Sequence, residues 1–463
     1  MESWREKLRV PCGIAGAFCL LAAVWASMRL EQGSELVRAG IAGTMLILAG
    51  LSIFLLWAEG FERGDLLIML LPVGIAVLAR TLCLDHMSGD YVSFLSVWYR
   101  FFQENGGFWA ISTAVGDYNV PYLYFMALIS YIHAPDLYLI KLFSIVFDVI
   151  LAWGCLRLTR SLCRERQGSA APLIAFGAAL LLPTVILNGA YWGQCDVIYG
   201  ALVVHAVALV LEGKNKTSIV LMGLAFAFKL QTIFVLPLWG VLWLAKKVKF
   251  RELWVFPLTY LVVILPAVLL GKPLSETLLV YLKQMGEYPR LTLNAPSVFQ
   301  FVPYEISSAL SGSDPLMKGL STAGIVVAAV LVAVLLMVGY FWAERMDRET
   351  LMGIAVVLAI GVPFFLPHMH ERYFFLADVL ALCWACADAH RIPVAVLVQA
   401  ASAASYRVYL RLKFNFWFNI GEHRFVMLVE TALMLVALIC AAGALIVRLR
   451  LLGGEKRSGE FRT

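Results

Sequence analysis

The chain contains many separate apolar stretches of about 20 residues, which is the length a helix needs to cross roughly 30 Å of hydrocarbon. Overall, 61% of its residues are hydrophobic and only 15% are charged. Inside a bilayer every backbone N–H and C=O must be bonded within the chain, so such stretches form helices. The sequence therefore predicts an all-α, polytopic membrane protein and excludes an ordinary soluble domain.

Topology follows from lysine and arginine, which short cytoplasmic loops retain. With the N-terminus inside, we predict 12 crossings near residues 11–29, 36–58, 66–84, 137–158, 171–188, 194–212, 252–270, 318–343, 350–366, 373–389, 392–409 and 424–447. The basic clusters then fall on one side, at Arg157–Arg166, Lys214–Lys216, Lys246–Arg251, Arg345–Arg348 and the tail from Arg448. Both termini are therefore predicted to be cytoplasmic, in a multi-pass protein of a plasma membrane.

Two apolar segments are not counted as crossings. Residues 120–133 are too short and are predicted to form an external or partly embedded helix. Residues 217–245 have basic residues at both ends, and Lys229 interrupts them, so we predict two half-helices that enter and leave on the cytoplasmic side. Lys229 would lie near the tip, as a structural or lipid-facing residue or as a partner of Asp148.

We predict one transmembrane domain over residues 1–463, a bundle of about 12 spanning helices with a short hairpin and external interfacial helices. It includes an acidic external loop at 85–121, a second external loop at 271–317 and a basic cytoplasmic tail at 448–463. The net charge of +6 is explained by the membrane topology, so we expect contact with membrane lipids and no nucleic-acid partner. The nine cysteines are scattered, mostly inside apolar segments, and Cys383 and Cys386, one helical turn apart, are interpreted as packing residues.

The run Leu366–Tyr373 places two imidazoles, a carboxylate and a guanidinium between two apolar segments. Charge at a membrane boundary is costly and usually functional. The planar fork of Arg372 suits a phosphate, and Glu371 can orient a neighbouring histidine. The alternative is a loop of solvated interfacial charges.

Three further polar clusters fall on the same predicted external face. The acidic loop contains Asp90, which could instead cap the helix that begins near Tyr91. The run from Asn188 to Asp196 begins another span, where its polar groups could also serve only as caps or bundle hydrogen bonds. The segment Arg407–Arg424 mixes basic and aromatic residues and is interpreted as an interfacial belt, or as a site for lipid phosphate.

A carboxylate, a cationic cluster and an external membrane cavity suit glycosyl transfer from a polyprenyl-phosphate sugar. One carboxylate must draw a proton from the acceptor hydroxyl, while cationic groups stabilise the departing lipid phosphate. A flippase for a lipid-linked sugar, or a polymerase or ligase of surface polysaccharide, would use similar groups. The absence of a clear internal repeat and the one-sided clusters favour an enzyme over a transporter.

The sequence resembles the GT-C superfamily of glycosyltransferases, and within it bacterial relatives of the second mannosyltransferase of glycosylphosphatidylinositol synthesis. The similarity spans roughly residues 85–380 and rests on the loop with Asp90 and on the runs DYNVPYLY, YWGQCD, FKLQ and LPHMHERYFF. It implies an inverting enzyme that uses a polyprenyl-phosphate hexose, with mannose as the first choice.

The resemblance also implies roles for individual residues. Asp90 matches the catalytic carboxylate of the superfamily, which acts as the general base. The donor phosphate would be bound by Arg372 with the help of His368 and His370, and Glu371 would orient these groups.

Weaker matches concern the sugars. Asp117 and Tyr118 would shape the sugar or acceptor site, and Gln194 and Asp196 would hydrogen-bond sugar hydroxyls. The acceptor itself, whether a glycan, a lipid or a protein, is not specified by the sequence.

No cofactor and no metal site are predicted, and the polyprenyl-phosphate sugar is a co-substrate. His368 and His370 are two residues apart and could chelate a divalent cation, so dependence on such a metal stays open. The positive charge of Arg372 opposes it.

Overall fold

The computed structural model describes residues 2–113, 115–164, 166, 168–284, 290–303, 306–307, 312–411 and 423–460. These residues are almost entirely helical, which confirms the predicted all-α class. Helices α1 to α10 are Glu2–Ser27, Glu35–Ala58, Arg63–Leu82, Ser96–Glu104, Val120–Ile129, Asp136–Leu162, Ala171–Leu181, Pro183–Ile186, Asp196–Leu211 and Asn215–Phe228. Helices α11 to α19 are Pro237–Leu244, Phe250–Leu253, Val255–Leu269, Leu274–Gln284, Pro315–Phe341, Arg348–Phe365, Phe375–Ala387, Ile392–Leu410 and His423–Glu460.

Within the described residues, eight helices are long and apolar enough to cross a membrane, and a bent pair, α7 with Pro183–Trp192, makes a ninth. The bend between its two parts is 45°. These nine coincide with nine of the twelve predicted crossings. The other three predicted crossings are also helices, α9, α17 and α18. Helices α9 and α17 are shorter than a full span, whereas α18 has 19 residues but is less apolar than the nine spans.

The segment around Lys229 forms the predicted hairpin. Asn215 Nδ2 at the start of α10 donates to the carbonyl of Lys247 at 2.8 Å, so the two ends of the segment meet. Lys229 lies between the two halves with an extended backbone, followed by the 3₁₀ turn Leu230–Phe234 and then α11. A lysine at such a break is held inside the protein, because unbonded backbone is not tolerated against lipid.

Two expectations for Lys229 are wrong. Its side chain is only 6% exposed and does not face lipid. It does not pair with Asp148, whose carboxylate instead accepts a hydrogen bond from Arg80 Nε at 2.7 Å. Sequence patterns give depth in the membrane but not rotation about the helix axis, which decides these partners.

The short helix α5 lies where the external helix was predicted, and most of its side chains are buried. The preceding helix α4 is amphipathic: Trp98, Tyr99 and Phe102 are buried, whereas Val97 is exposed. A helix with these two faces suits a membrane interface, as the sequence suggested. Helix α4 packs on α5 and α6.

Irregular backbone brings the polar runs together. The turns Tyr91–Leu95 and Leu187–Trp192 are π-helical, a geometry that is frequent at functional sites. Strand β1, Thr292–Leu293, pairs in parallel with β2, Met369–His370. This pairing connects the second predicted external loop to the run Leu366–Tyr373. Gly193 has φ +83°, a conformation that glycine adopts without strain, and it turns the chain from the π-helical turn into α9.

Candidate active site

Asp90 and Arg372 lie in one cluster although most of the chain separates them. Arg372 Nη1 is 4.0 Å from Asp90 Oδ2, and the two side chains are 13% and 14% exposed. A pair that is mostly buried but still open to solvent combines strong electrostatics with access for a substrate.

Three donors fix the Asp90 carboxylate. Trp192 Nε1 donates to Oδ2 at 2.9 Å, Gln194 Nε2 donates to the same oxygen, and the Tyr409 hydroxyl donates to Oδ1. Asp90 makes no side-chain cap bond to the following π-helical turn, so the capping interpretation is wrong. Because an ionised carboxylate can accept about four hydrogen bonds, Oδ1 keeps acceptor capacity for one more donor.

Asp196 is the second acid of the cluster, and its side chain is fully buried. Its Oδ1 accepts from Lys229 Nζ at 2.5 Å and its Oδ2 from Asn188 Nδ2 at 2.7 Å. Arg372 Nε lies 3.6 Å from Oδ2. A buried carboxylate is tolerated only with such partners, so Asp196 holds both cations of the site in place.

Arg372 lies between the two aspartates with its guanidinium 5.3 Å from the ring centroid of Trp192. Glu371 Oε1 is 3.7 Å from Arg372 Nη1. Burial raises the pKa of Glu371 to about 7, although the charge of Arg372 opposes the rise. At neutral pH this carboxyl is thus partly protonated, and it neutralises Arg372 less than an ordinary glutamate would.

Gln194 and Tyr118 connect the two halves of the cluster. The Tyr118 hydroxyl donates to Gln194 Oε1 at 2.9 Å, while Gln194 Nε2 donates to Asp90. Lys229 Nζ lies 5.6 Å from the Tyr118 ring centroid, within cation–π range. The predicted sugar-site residues Tyr118, Gln194 and Asp196 therefore all belong to the Asp90 cluster.

The histidines occupy different positions. Burial, together with the charges of Arg372 and Lys229, lowers the pKa of His370 to about 2, so this imidazole is neutral. Its backbone belongs to β2. His368 has φ +64°, and its Nδ1 contacts the carbonyl of Arg290 at 2.5 Å. Its hydrogen bonds within the described residues do not reach Asp90 or Arg372.

Asp117 also lies apart from the acid cluster. Its backbone carbonyl accepts a hydrogen bond from Gln284, and it lines a cavity between residues 115–123 and 272–284. Its neighbour Tyr118 lines the same cavity and donates to Gln194 Oε1.

Sequence reasoning missed Tyr409 and gave no role to Trp192. Tyr409 stacks on Trp192 with a centroid distance of 4.9 Å and an interplanar angle of 18°, and it donates to Asp90. The only available signal was its position in the aromatic-basic segment that was interpreted as an interfacial belt. Residues 412–422 of that segment, with Lys413, lie outside the described residues.

Helix α6 supports the backbone on which the acids sit. The buried Lys141 Nζ donates to the carbonyls of Cys83, Leu84 and His86, at 2.8, 3.0 and 2.6 Å. One turn along, Ser144 donates to the carbonyl of Gln194 at 2.8 Å. One face of α6 thus fixes both the segment leading to Asp90 and the segment leading to Asp196.

In the described part of the chain, no three His, Cys, Asp or Glu side chains are grouped so that they could hold a metal ion. The charged groups of the cluster are two aspartates, one partly protonated glutamate and two cations. Such a set can accept a proton and can bind an anionic leaving group.

The fold defines a polytopic helical membrane protein, and its buried acid and arginine cluster has the groups that a group-transfer enzyme requires. The family model described as Glycosyltransferase family 87 matches residues 118–367, more than half of the chain. The chain therefore belongs to glycosyltransferase family 87, a GT-C-like family of membrane glycosyltransferases. No curated protein matches the chain.

The matched range contains Tyr118, Gln194, Asp196 and Lys229. It begins after Asp90 and ends at Pro367, one residue before His368. The family match thus supports glycosyltransferase activity and a multi-pass membrane location, while the roles of Asp90 and Arg372 depend on the geometry described above.

Proposed function

We propose that the protein is an inverting glycosyltransferase that moves a hexose from a polyprenyl-phosphate donor to an acceptor at the external face of the plasma membrane. Mannose is the sugar we place first. The observation that carries the proposal is the close approach of Asp90 and Arg372, which puts a carboxylate and a phosphate-binding guanidinium at one partly exposed centre.

In this reaction the acceptor hydroxyl oxygen attacks the anomeric carbon as the bond from that carbon to the phosphate oxygen breaks. Asp90 takes the hydroxyl proton, and Oδ1 has the acceptor capacity for it. A single displacement of this kind inverts the anomeric centre. The products are the glycosylated acceptor, polyprenyl phosphate and a proton that is first held by Asp90.

Arg372 and Lys229 supply positive charge for the departing phosphate. Asp196 positions both cations, because it contacts Lys229 Nζ and lies near Arg372 Nε. Neutral His370 can offer the phosphate a hydrogen bond but no charge. Glu371 orients Arg372, and the protonation state of Glu371 sets how far it offsets the positive charge of Arg372. The proposal requires no further cation.

The external location of the site is proposed from the positions of the basic loops, which this arrangement leaves on the cytoplasmic side together with both termini. The polyprenyl tail of the donor would lie among the surrounding lipids. A glycan, a lipid or a protein could serve as acceptor.

The test is a transfer assay with purified protein in nanodiscs, short-chain polyprenyl-phosphate mannose and a crude lipid extract. Asp90→Asn keeps the size of the side chain and removes its ability to hold the proton, so we expect a loss of 10²-fold or more in turnover. Glu104→Gln, a change at an exposed acid of the same loop, is the matched control and should leave turnover intact.

Arg372→Ala should weaken binding of the donor as well as turnover. Full activity of Asp90→Asn would refute the role of Asp90. Saturable donor binding that Arg372→Ala abolishes, without any turnover, would favour another donor sugar or a lipid-linked sugar flippase.

A further inference from the structure

A cavity of about 200 Å³ lies beside the acid cluster, between the segment before α5 and the helix α14. Its lining includes Asp117, Tyr118, Lys272, Glu276 and Lys283. Neither Asp90 nor Arg372 lines it. The cavity is therefore a second compartment, with both charged and apolar lining residues, distinct from the centre where the donor phosphate is proposed to bind.

Helix α14, which forms one wall, is fixed by hydrogen bonds from its buried face. Tyr281 is 7% exposed, and its hydroxyl donates to the carbonyl of Phe226 at 2.5 Å, just before Lys229. Tyr260 donates to the carbonyl of Thr277 at 2.8 Å. The wall of the cavity is thus tied directly to the hairpin that presents Lys229 to Asp196.

Tyr118 joins the cavity to the catalytic centre. It lines the cavity, and its hydroxyl donates to Gln194, which in turn donates to Asp90. A molecule held in the cavity would therefore be two hydrogen bonds away from the proposed general base. The cavity can therefore hold a part of the acceptor next to the part that presents its hydroxyl directly to Asp90.

The charges of the lining identify the kind of ligand. Two carboxylates, Asp117 and Glu276, balance two ammonium groups, Lys272 and Lys283. Lys272 is already engaged: its Nζ lies 3.2 Å from the carbonyl oxygen of Thr113 and 3.9 Å from Glu276 Oε2.

An anion would meet as much repulsion as attraction in such a lining. A neutral ring with several hydroxyls can donate to the carboxylates and accept from the ammonium groups. The carboxylates of such a site repel phosphate, and its carboxylates and ammonium groups together bind sugar hydroxyls. A site of mixed charge thus favours sugars over phosphate.

We propose that this cavity is the acceptor subsite and that it binds a neutral sugar ring, with Asp117 and Glu276 accepting hydrogen bonds from its hydroxyls. The assignment to the acceptor rests on the proposed glycosyl transfer. The binding of a neutral sugar does not, and it can be measured without any donor.

The experiment measures binding of methyl α-mannoside and methyl β-glucoside to the full-length protein in nanodiscs by saturation-transfer NMR, with inorganic phosphate as the anionic competitor. We expect saturable binding of at least one glycoside that excess phosphate does not displace. Glu276→Gln should weaken this binding about tenfold, as expected for one charge-assisted hydrogen bond. Glu104→Gln should leave it unchanged.

Thermal melting of each variant checks that the fold is kept, and Asp117→Asn provides a second lesion if Glu276→Gln does not fold. Binding of neither glycoside, displacement by phosphate, or equal binding in Glu276→Gln and wild type would overturn the cavity assignment. If the glycoside binds as expected but polyprenyl-phosphate mannose is not turned over, the sugar site stands and the proposed donor is wrong. If turnover with the crude extract is normal and insensitive to both lesions, the acceptor assignment is wrong and the catalytic proposal stands.

Discussion

Replacing Lys229 by methionine tests whether the buried Asp196 depends on the hairpin for its charge balance. Methionine keeps an unbranched apolar side chain of nearly the same length but removes the ammonium group. Asp196 would then keep only Asn188 Nδ2 at 2.7 Å and Arg372 Nε at 3.6 Å as partners. We expect a loss of both stability and activity.

The magnitude follows from the distances. With an effective dielectric constant of about 20, a unit charge pair at the Lys229 distance of 2.5 Å interacts by about 7 kcal/mol, and one at the Arg372 distance by about 5 kcal/mol. Removing one partner of a buried pair typically costs about 3–5 kcal/mol. Because Arg372 and Asn188 remain, we expect the lower end, about 3 kcal/mol.

An unfolding entropy of about 2.1 cal/mol/K per residue, taken over the 463 residues of this chain, converts this loss into a lower melting temperature by about 3 °C. A smaller unfolding unit would give a larger shift. The assay is thermal melting followed by tryptophan fluorescence in detergent, together with turnover of polyprenyl-phosphate mannose. Turnover should fall by about 10² or more, since a cation beside the leaving phosphate is lost.

Two further variants separate the buried pair from a general effect of lost charge. Lys229→Met combined with Asp196→Asn removes both charges, so it should melt above the single variant while turnover stays low. Lys214→Met removes a lysine that is 60% exposed and pairs with Glu212 at 2.9 Å, and it should change stability by less than about 1 kcal/mol. A single variant that melts within 1 °C of wild type, or a double variant no more stable than the single one, would refute the reasoning.

Three other substitutions address the groups around the centre. Tyr409→Phe keeps the ring that stacks on Trp192 but removes the hydroxyl that donates a hydrogen bond to Asp90. In steady-state kinetics we expect turnover to fall about tenfold, with little change in the KM for the sugar donor. An unchanged turnover number would contradict the assigned hydrogen bond. Lys141→Met leaves three backbone carbonyls without their ammonium donor, so denaturation in mild detergent should show a loss of about 3 kcal/mol, and a variant as stable as wild type would count against this support. For Glu371, whose pKa is raised from 4.5 to about 7, the native state binds more protons than the unfolded state between these values, so stability should fall by about 3 kcal/mol as pH rises through that window. Melting curves from pH 4 to 8 should show less of this fall in Glu371→Gln, and identical curves would refute the assignment.

Local sequence patterns were sufficient for much of the fold. The apolar periods predicted helices at all twelve proposed crossings, and the polar interruption at Lys229 predicted the hairpin. Asp90 and Arg372 were also placed on one predicted face, and the structure brings them together, which a shared face alone does not specify. In each case the prediction depended on residues that are close in sequence or on which side of the membrane a loop lies.

Partners between helices could not be predicted in the same way. Lys229 and Asp148 have opposite charges and could have paired. The rotation of their helices instead directs Lys229 to Asp196 and Asp148 to Arg80. Tyr409 contributes its hydroxyl to Asp90 from the last turn of α18, where its aromatic ring suits an interface equally well. The sequence pattern does not specify whether the ring of Tyr409 lies at the membrane interface or beside Asp90.

The position of Arg372 gives the centre a property that the separate residues do not have. Its guanidinium lies 4.0 Å from Asp90 and 3.6 Å from Asp196, so it is shared by two carboxylates before reaction. In the proposed transfer Asp90 gains a proton, and the polyprenyl phosphate gains one negative charge when its bond to the sugar breaks. The net charge of the enzyme and its substrates is unchanged, but one negative charge moves from Asp90 to the phosphate. Arg372 borders Asp90, and the phosphate is proposed to bind Arg372. The guanidinium can therefore interact first with the charge on Asp90 and then with the charge on the phosphate, without crossing the site. Asp196 and its bond to Lys229 keep the remaining charges fixed.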